Sequence, residues 1–282
     1  MKNRLLAGVA LSALLAGSAA AADMRVKAPP PPAAVFSWTG FYVGLNAGGA
    51  WGRSDAETTV SCAPVVSPPN YFCLNAAGAA NAGAVNAAGT GSLSGSAFIG
   101  GGQIGFNVQN GGAVFGVEVD AQSFNLRASR QASGTFPVDF LPAVPAGSTF
   151  TVTSSVNTDW LLTARGRVGW AFDNVLAYAT GGVAVTTIRA SHTFADNFTA
   201  SPGGAGAWNG SATKAGWTVG GGVEWAAARS WTVKVEYLYL NFGSVNAAGT
   251  IFNPNSAGYA QAIATSVDLT AHIARAGINF KF

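Results

Sequence analysis

Charge is what this sequence has least of. Asp, Glu, Lys and Arg make up 10% of its 282 residues, against about 25% in ordinary soluble domains. Something other than water must therefore accept much of the surface. Long apolar runs are missing as well: beyond the N-terminus no stretch reaches the ~18 residues a membrane helix needs. That excludes a bundle of transmembrane helices. Cysteine is limited to Cys62 and Cys73, and histidine to His192 and His272. Neither histidine sits in a cluster of ligand-type residues, and two cysteines alone are too few for a structural zinc site, so no metal and no cofactor is expected. The formal net charge is +3, and losing Lys2 and Arg4 with a cleaved leader would lower Lys plus Arg from 15 to 13 against 12 acids. A near-neutral mature chain offers nothing to draw it to nucleic acid.

Glycine, by contrast, is abundant at 37 of 282 residues, and the apolar residues recur at alternate positions. A period of two is the mark of a strand with one apolar face, found in sandwich sheets and in the walls of membrane barrels. Read in order, the chain opens with Lys2 and Arg4, an apolar run over 5–15 and the small residues Ala20, Ala21 and Ala22. This is the pattern of a secretory leader over 1–22. Pro29 to Pro32 then hold an extended spacer over 23–37 that cannot enter a sheet interior. From residue 38 to 282 one domain is expected, an all-β, eight-stranded antiparallel transmembrane barrel. Its strands are placed at 38–52, 97–109, 113–126, 160–171, 175–189, 214–225, 231–240 and 267–282. The fifth carries apolar residues on both faces and is left unoriented. Gly100, Gly102 and Gly105 match a dinucleotide-binding fingerprint, but they lie inside an alternating strand where that motif needs a helix to follow.

The connections alternate in length, as an outer-membrane barrel requires. Tight turns are expected at Asn110-Gly111-Gly112, at Asp173-Asn174 and between 225 and 231. Long connections are expected over 53–96, 127–159, 190–213 and 241–266. With both termini in the periplasm, the tight turns are periplasmic and the long loops extracellular. Trp38, Phe106, Phe115, Trp170, Phe172, Trp225, Trp231, Phe280 and Phe282 would girdle the periplasmic end, and Trp51, Trp160, Trp217 and Tyr239 the other rim.

The residues facing inward carry the charge. Glu118 and Asp120 on the third strand meet Arg165 and Arg167 on the fourth at similar height, and Glu236 meets Arg275 on the last two. Glu224 and Lys234 complete the inward set. Two readings stay open for this cluster. The ions neutralise one another and plug a lumen that eight strands leave almost full, or they line a charged constriction for small solutes. Cys62 and Cys73 fall in the first long loop, where an oxidising compartment favours a disulfide between them.

The leader, the run Lys27-Ala28-Pro29, the segment Phe36-Ser37-Trp38-Thr39-Gly40-Phe41-Tyr42, the stretch Arg165-Gly166-Arg167-Val168-Gly169-Trp170 and the ending Arg275-Ala276-Gly277-Ile278-Asn279-Phe280-Lys281-Phe282 together resemble the small outer-membrane β-barrel family of alphaproteobacterial surface antigens. These are the outer-membrane immunogenic or porin-family proteins. The resemblance implies residence in the outer membrane of a Gram-negative bacterium, with Phe280 and Phe282 as the aromatic signal read by the barrel-assembly machinery. The expected surroundings are outer-membrane lipid and lipopolysaccharide, with extracellular ligands open at the long loops. A structural, surface-exposed, non-enzymatic role is expected. The alternatives are a small porin-like channel and a haem-binding surface protein that would rest on His192. A lipid-modifying or proteolytic enzyme would need Ser/His or acid/His groups at the outer rim, where His192 is the only loop histidine.

Overall fold

The computed structural model describes residues 36–62, 78–138, 147–197, 203–253 and 260–282. The leader over 1–22, most of the spacer over 23–37 and Cys73 lie outside the described residues.

Alternating sequence becomes extended chain, giving β1 Gly40–Val60, β2 Gly91–Asn110, β3 Ala113–Ser123, β4 Arg127–Thr135, β5 Thr149–Thr158, β6 Trp160–Phe172, β7 Val175–Asp196, β8 Ala205–Ala228, β9 Trp231–Phe252 and β10 Ala260–Lys281, with one helix among the described residues, α1, at Gly78–Gly89. Eight of the strands close a ring in the order β1-β2-β3-β6-β7-β8-β9-β10, antiparallel throughout, with β10 returning to β1 through pairs such as Leu45↔Ile278. Closure leaves no edge in this part of the wall, which is what a bilayer demands of backbone that lipid cannot hydrogen-bond. At the end where β1 begins and β10 finishes the strands are joined tightly. Gly111 (φ 60°) and Asp173 (φ 53°) occupy the left-handed conformation of two of these turns, a position glycine and aspartate tolerate better than most residues.

From the turn end to the middle of the strands the outward face is apolar, with Leu45 67% and Phe98 75% exposed. The unoriented fifth strand resolves as β7: Leu176, Tyr178 and Thr180 point inward, and Ala177, Ala179 and Val183 point outward. Trp38 departs from expectation. It is buried at the turn end of the lumen against Val114, Leu176 and Tyr178, with its backbone N–H donating to Gln109 Oε1 at 2.8 Å. It corks the barrel because it precedes β1 and folds back under the ring.

At the far end the strands continue well past the expected boundaries, so much of 53–96, 127–159, 190–213 and 241–266 is strand. Alternation persists there with its sign reversed. On β1, Arg53, Asp55 and Glu57 face out while Ala56 and Val60 face in. A search for apolar-outward residues stops where this reversal begins. β3 bends at 124–126 into β4, and β5 leads back into β6, so the third and fourth strands are each extended by a second segment. Above the apolar band the wall continues as two four-stranded runs, β2-β1-β10-β9 and β4-β5-β7-β8, which meet again through Ala205↔Phe252 of β8 and β9. They enclose one apolar cluster around Ile99, Phe124, Leu161, Leu240 and Ile273 and a higher one around Phe150, Phe194, Trp208 and Ile251.

Helix α1 covers that upper cluster with Val85. Its amphipathic pattern is weak, and its place is held by polar ties: Val60 N–H donates to Asn86 Oδ1 at 2.7 Å, Val138 N–H to Asn81 Oδ1 at 3.2 Å and Arg130 Nη1 to the Ala88 carbonyl at 2.6 Å. Cys62 is disulfide-bonded.

A closed ring has no edge from which to unravel, so the protein folded in detergent should migrate differently on a gel before and after boiling. Identical mobility of the two samples would contradict closure.

Candidate functional site

Every strand of the ring sends polar groups into the turn half of the lumen, because its outward face belongs to lipid and its inward face has only the other strands to meet. Eight of these groups are ionisable side chains: Glu118 and Asp120 on β3, Arg165 and Arg167 on β6, Glu224 on β8, Lys234 and Glu236 on β9, and Arg275 on β10. All are buried; Lys234 is 1% and Arg275 2% exposed. Four cations face four carboxylates.

Their partners lie across the lumen as well as along the register. Arg165 reaches Glu118 at 2.6 Å, Asp120 at 2.8 Å and Glu236 at 2.9 Å. Arg275 holds Glu236 at 2.6 Å and Asp120 at 3.0 Å. Lys234 lies beside Glu224 in the β8–β9 register, yet its Nζ crosses to Glu118 at 2.8 Å on the opposite wall. Glu224 instead takes Arg167 at 2.9 Å. Asp120 meets Arg165, its expected match in height, and Glu236 meets Arg275, whereas Glu118, expected level with Arg167, stands 3.7 Å from it and bonds Arg165 instead, leaving Arg167 with Glu224 as its close partner. Register alone does not decide this, because a long side chain in a narrow ring can reach well beyond the neighbouring strand.

Neutral groups complete the set. Tyr42 donates its hydroxyl to Glu118 at 2.7 Å, Tyr178 to Glu236 at 3.1 Å and Thr163 to Asp120 at 2.6 Å. Asn279 Nδ2 donates to Glu224 at 2.8 Å, and Gln103 Nε2 to Asn279 Oδ1 at 2.5 Å. The Arg167 guanidinium carbon lies 5.2 Å from the Tyr42 ring centre and 4.8 Å from that of Tyr178. The alternation shows Tyr42 as inward but not as a carboxylate partner; Tyr178 is hidden in the strand that the sequence does not orient. Neighbouring side chains occupy the space over inward glycines. A β-carbon on Gly44 would strike the Asn279 side chain, and one on Gly105 the Tyr42 ring.

The other expected sites are scattered. Phe280 packs against Trp231, with ring centres 5.1 Å apart, and Phe282 stands edge-on to Phe280 at 5.2 Å. His272 lies on the outer face of β10, with Nδ1 2.5 Å from the Tyr237 hydroxyl. His192 is not a loop residue; it lies on β7 and points into the upper apolar cluster. Among the described residues no group of three or more His, Cys, Asp or Glu side chains converges to hold a metal ion.

A family model described as an outer membrane protein beta-barrel domain matches residues 8–282. The chain is 31% identical to a 31 kDa outer-membrane immunogenic protein of Brucella melitensis, a match covering 100% of both chains. It is 25% identical to a 25 kDa outer-membrane immunogenic protein of Brucella abortus over 81% of this chain and 79% of that one. Among solved structures it is similar to Neisserial surface protein A, with a TM-score of 0.35 and 16% identity over 86% of this chain and 98% of that one.

Withdrawing two ions from water costs several kcal/mol each, and removing one partner leaves the other uncompensated. We expect Arg167→Ala to destabilise the folded barrel by ~3 kcal/mol, and Arg165→Ala, which strips three carboxylates, by at least as much. Adding Glu224→Gln to Arg167→Ala should recover part of the loss. Denaturant unfolding in lipid vesicles measures all three, and an unchanged midpoint for both single variants would contradict the network's structural role.

Proposed function

Because the chain belongs to the outer membrane protein beta-barrel family, and so resides in the outer membrane of a Gram-negative cell, we propose that it serves as a structural, surface-exposed wall protein. It contributes to envelope integrity and presents its far end to the outside. The observation that carries this reading is the filled lumen. Trp38 closes the turn end, the eight paired ions and their hydrogen-bond partners fill the middle, and the two apolar clusters under α1 fill the far end. A constriction that passes solutes needs charge that favours an ion without holding it; here each charge is committed to a counter-ion at close range.

The tight-turn end then faces the periplasm and the two-sheet end faces outward, with Cys62 beside the first long connection. Outer-membrane lipid and lipopolysaccharide cover the apolar band, and Phe280 and Phe282 form the aromatic terminus offered to the barrel-assembly machinery. The haem-binding alternative loses its support with His192 inside the wall. The role is non-enzymatic. The relatives are named as immunogenic proteins, and His192 is withdrawn from the rim where a catalytic group would need to meet substrate.

Purified protein in a planar bilayer should give no steady unitary conductance. Regular steps of reproducible size would overturn the wall reading in favour of the channel.

A further inference from the structure

The two outer sheets meet along two seams, and the seams are fastened differently. Between β2 and β4 the helix α1 spans the join, tied to β1 through Asn86 and Thr90 and to the β4–β5 side through Asn81 and Arg130. Between β8 and β9 no residues of the described ladder pair from Ala205↔Phe252 down to Trp217↔Asn241. The strands stay side by side through this irregular stretch, drawn close by glycines: β-carbons on Gly206, Gly210 and Gly216 would press on the carbonyls of Thr250, Asn246 and Asn241.

A large side chain crosses this seam. Trp208 of β8 lies over Gly249 of β9 and donates Nε1–H to Thr265 Oγ1 on β10 at 3.3 Å. Behind it, as its register partner on β7, stands His192, stacked on the indole with ring centres 5.6 Å apart and planes at 19°. His192 Nδ1 meets Ser154 Oγ at 2.9 Å, and its Nε2 is buried with no hydrogen-bond partner. Among the described residues no carboxylate answers it. Asp55, Glu57 and Asp268 on β1 and β10 face outward, as do Asp159 and Arg189, which pair with each other. Asp196 closes the end of β7 by accepting the Gly204 N–H at 2.6 Å. The inward-directed charges of the neighbouring strands are Lys214 on β8, Arg130 on β4 and Asp196 itself; β5, upper β9 and α1 carry no charged residue.

We propose that the β8–β9 seam is an acid-released opening in the outer wall, bolted by Trp208 and keyed by His192. Protonating His192 places a cation among apolar groups, dislodges the stacked indole and lets the irregularly paired strands part. Burial pushes the His192 pKa down to about 4 from its ordinary value of 6.5. The closed state therefore holds the neutral ring, and its advantage over an open, hydrated state falls as pH drops below 6.5 and levels off below about 4.

Hydrogen exchange of the full-length protein in lipid vesicles, corrected for intrinsic rates, tests this. Protection of 205–216 and 242–252 should drop by roughly tenfold or more between about pH 7 and about pH 4.5, while the β1–β10 ladder stays protected. His192→Phe keeps a stacking ring that cannot titrate, and its seam should hold at the acid end of that range. A disulfide from Gly210→Cys with Ala247→Cys, where a β-carbon on Gly210 lies 3.1 Å from that of Ala247, should abolish the drop. Unchanged protection in the natural sequence, or an equal drop in His192→Phe, overturns the proposal. Should His192→Phe fail to fold, a drop that persists in the disulfide-locked protein overturns it instead.

Discussion

A charged side chain inside a narrow ring enclosed by lipid has nothing to bond except the other side chains of that ring. Most of the lower barrel follows from this constraint. Lipid cannot satisfy backbone N–H and C=O groups, so the sheet must close; eight strands close into a lumen only side chains wide; and the inward residues must then satisfy one another. The four cations and four carboxylates do so, Arg167 Nε apart, through partners on opposite walls as well as on adjacent strands. Tyr42, Tyr178, Thr163 and Asn279 supply hydrogen bonds the ions cannot give each other. A half-satisfied network would cost more than an apolar core, which is why the cluster is balanced in charge.

Farther from the turns the constraint reverses and the chain reverses with it. Where the outside is no longer hydrocarbon, the outward positions become Arg53, Asp55 and Glu57, and the inside becomes an ordinary apolar core. The same strands therefore build two different objects in series, a polar-cored ring within the membrane and an apolar-cored pair of sheets beyond it. The change also relaxes the demand for closure. Backbone at the β8–β9 seam can depart from a regular ladder because water is within reach, and a side chain, Trp208, adds to the fastening.

Much of the lower half can be read from residues alone. Alternation locates all eight ring strands and orients seven, and it names every ion of the lumen cluster, since inward charge in a membrane wall is conspicuous. The partner of Arg167 is not legible: choosing Glu224 over Glu118 depends on how far each strand is staggered around the ring. The outer sheets escape because their alternation has the opposite sign, and α1 because GAANAGAVNAAG has almost no apolar stripe and is held by Asn81 and Asn86. By its position in the sequence Trp38 reads as a girdle aromatic. Only the chain's path under the ring turns it inward.

The central claim is that opposite walls of the lumen are joined through charge. Lys234 and Glu118 form a contact that crosses the ring from β9 to β3, and a double-mutant cycle with Lys234→Met and Glu118→Gln measures their coupling in folded barrels. The account predicts a coupling of about 1–3 kcal/mol. A value within experimental error of zero would mean that the two walls are independent and that the lumen is filled with water rather than closed by its own ions.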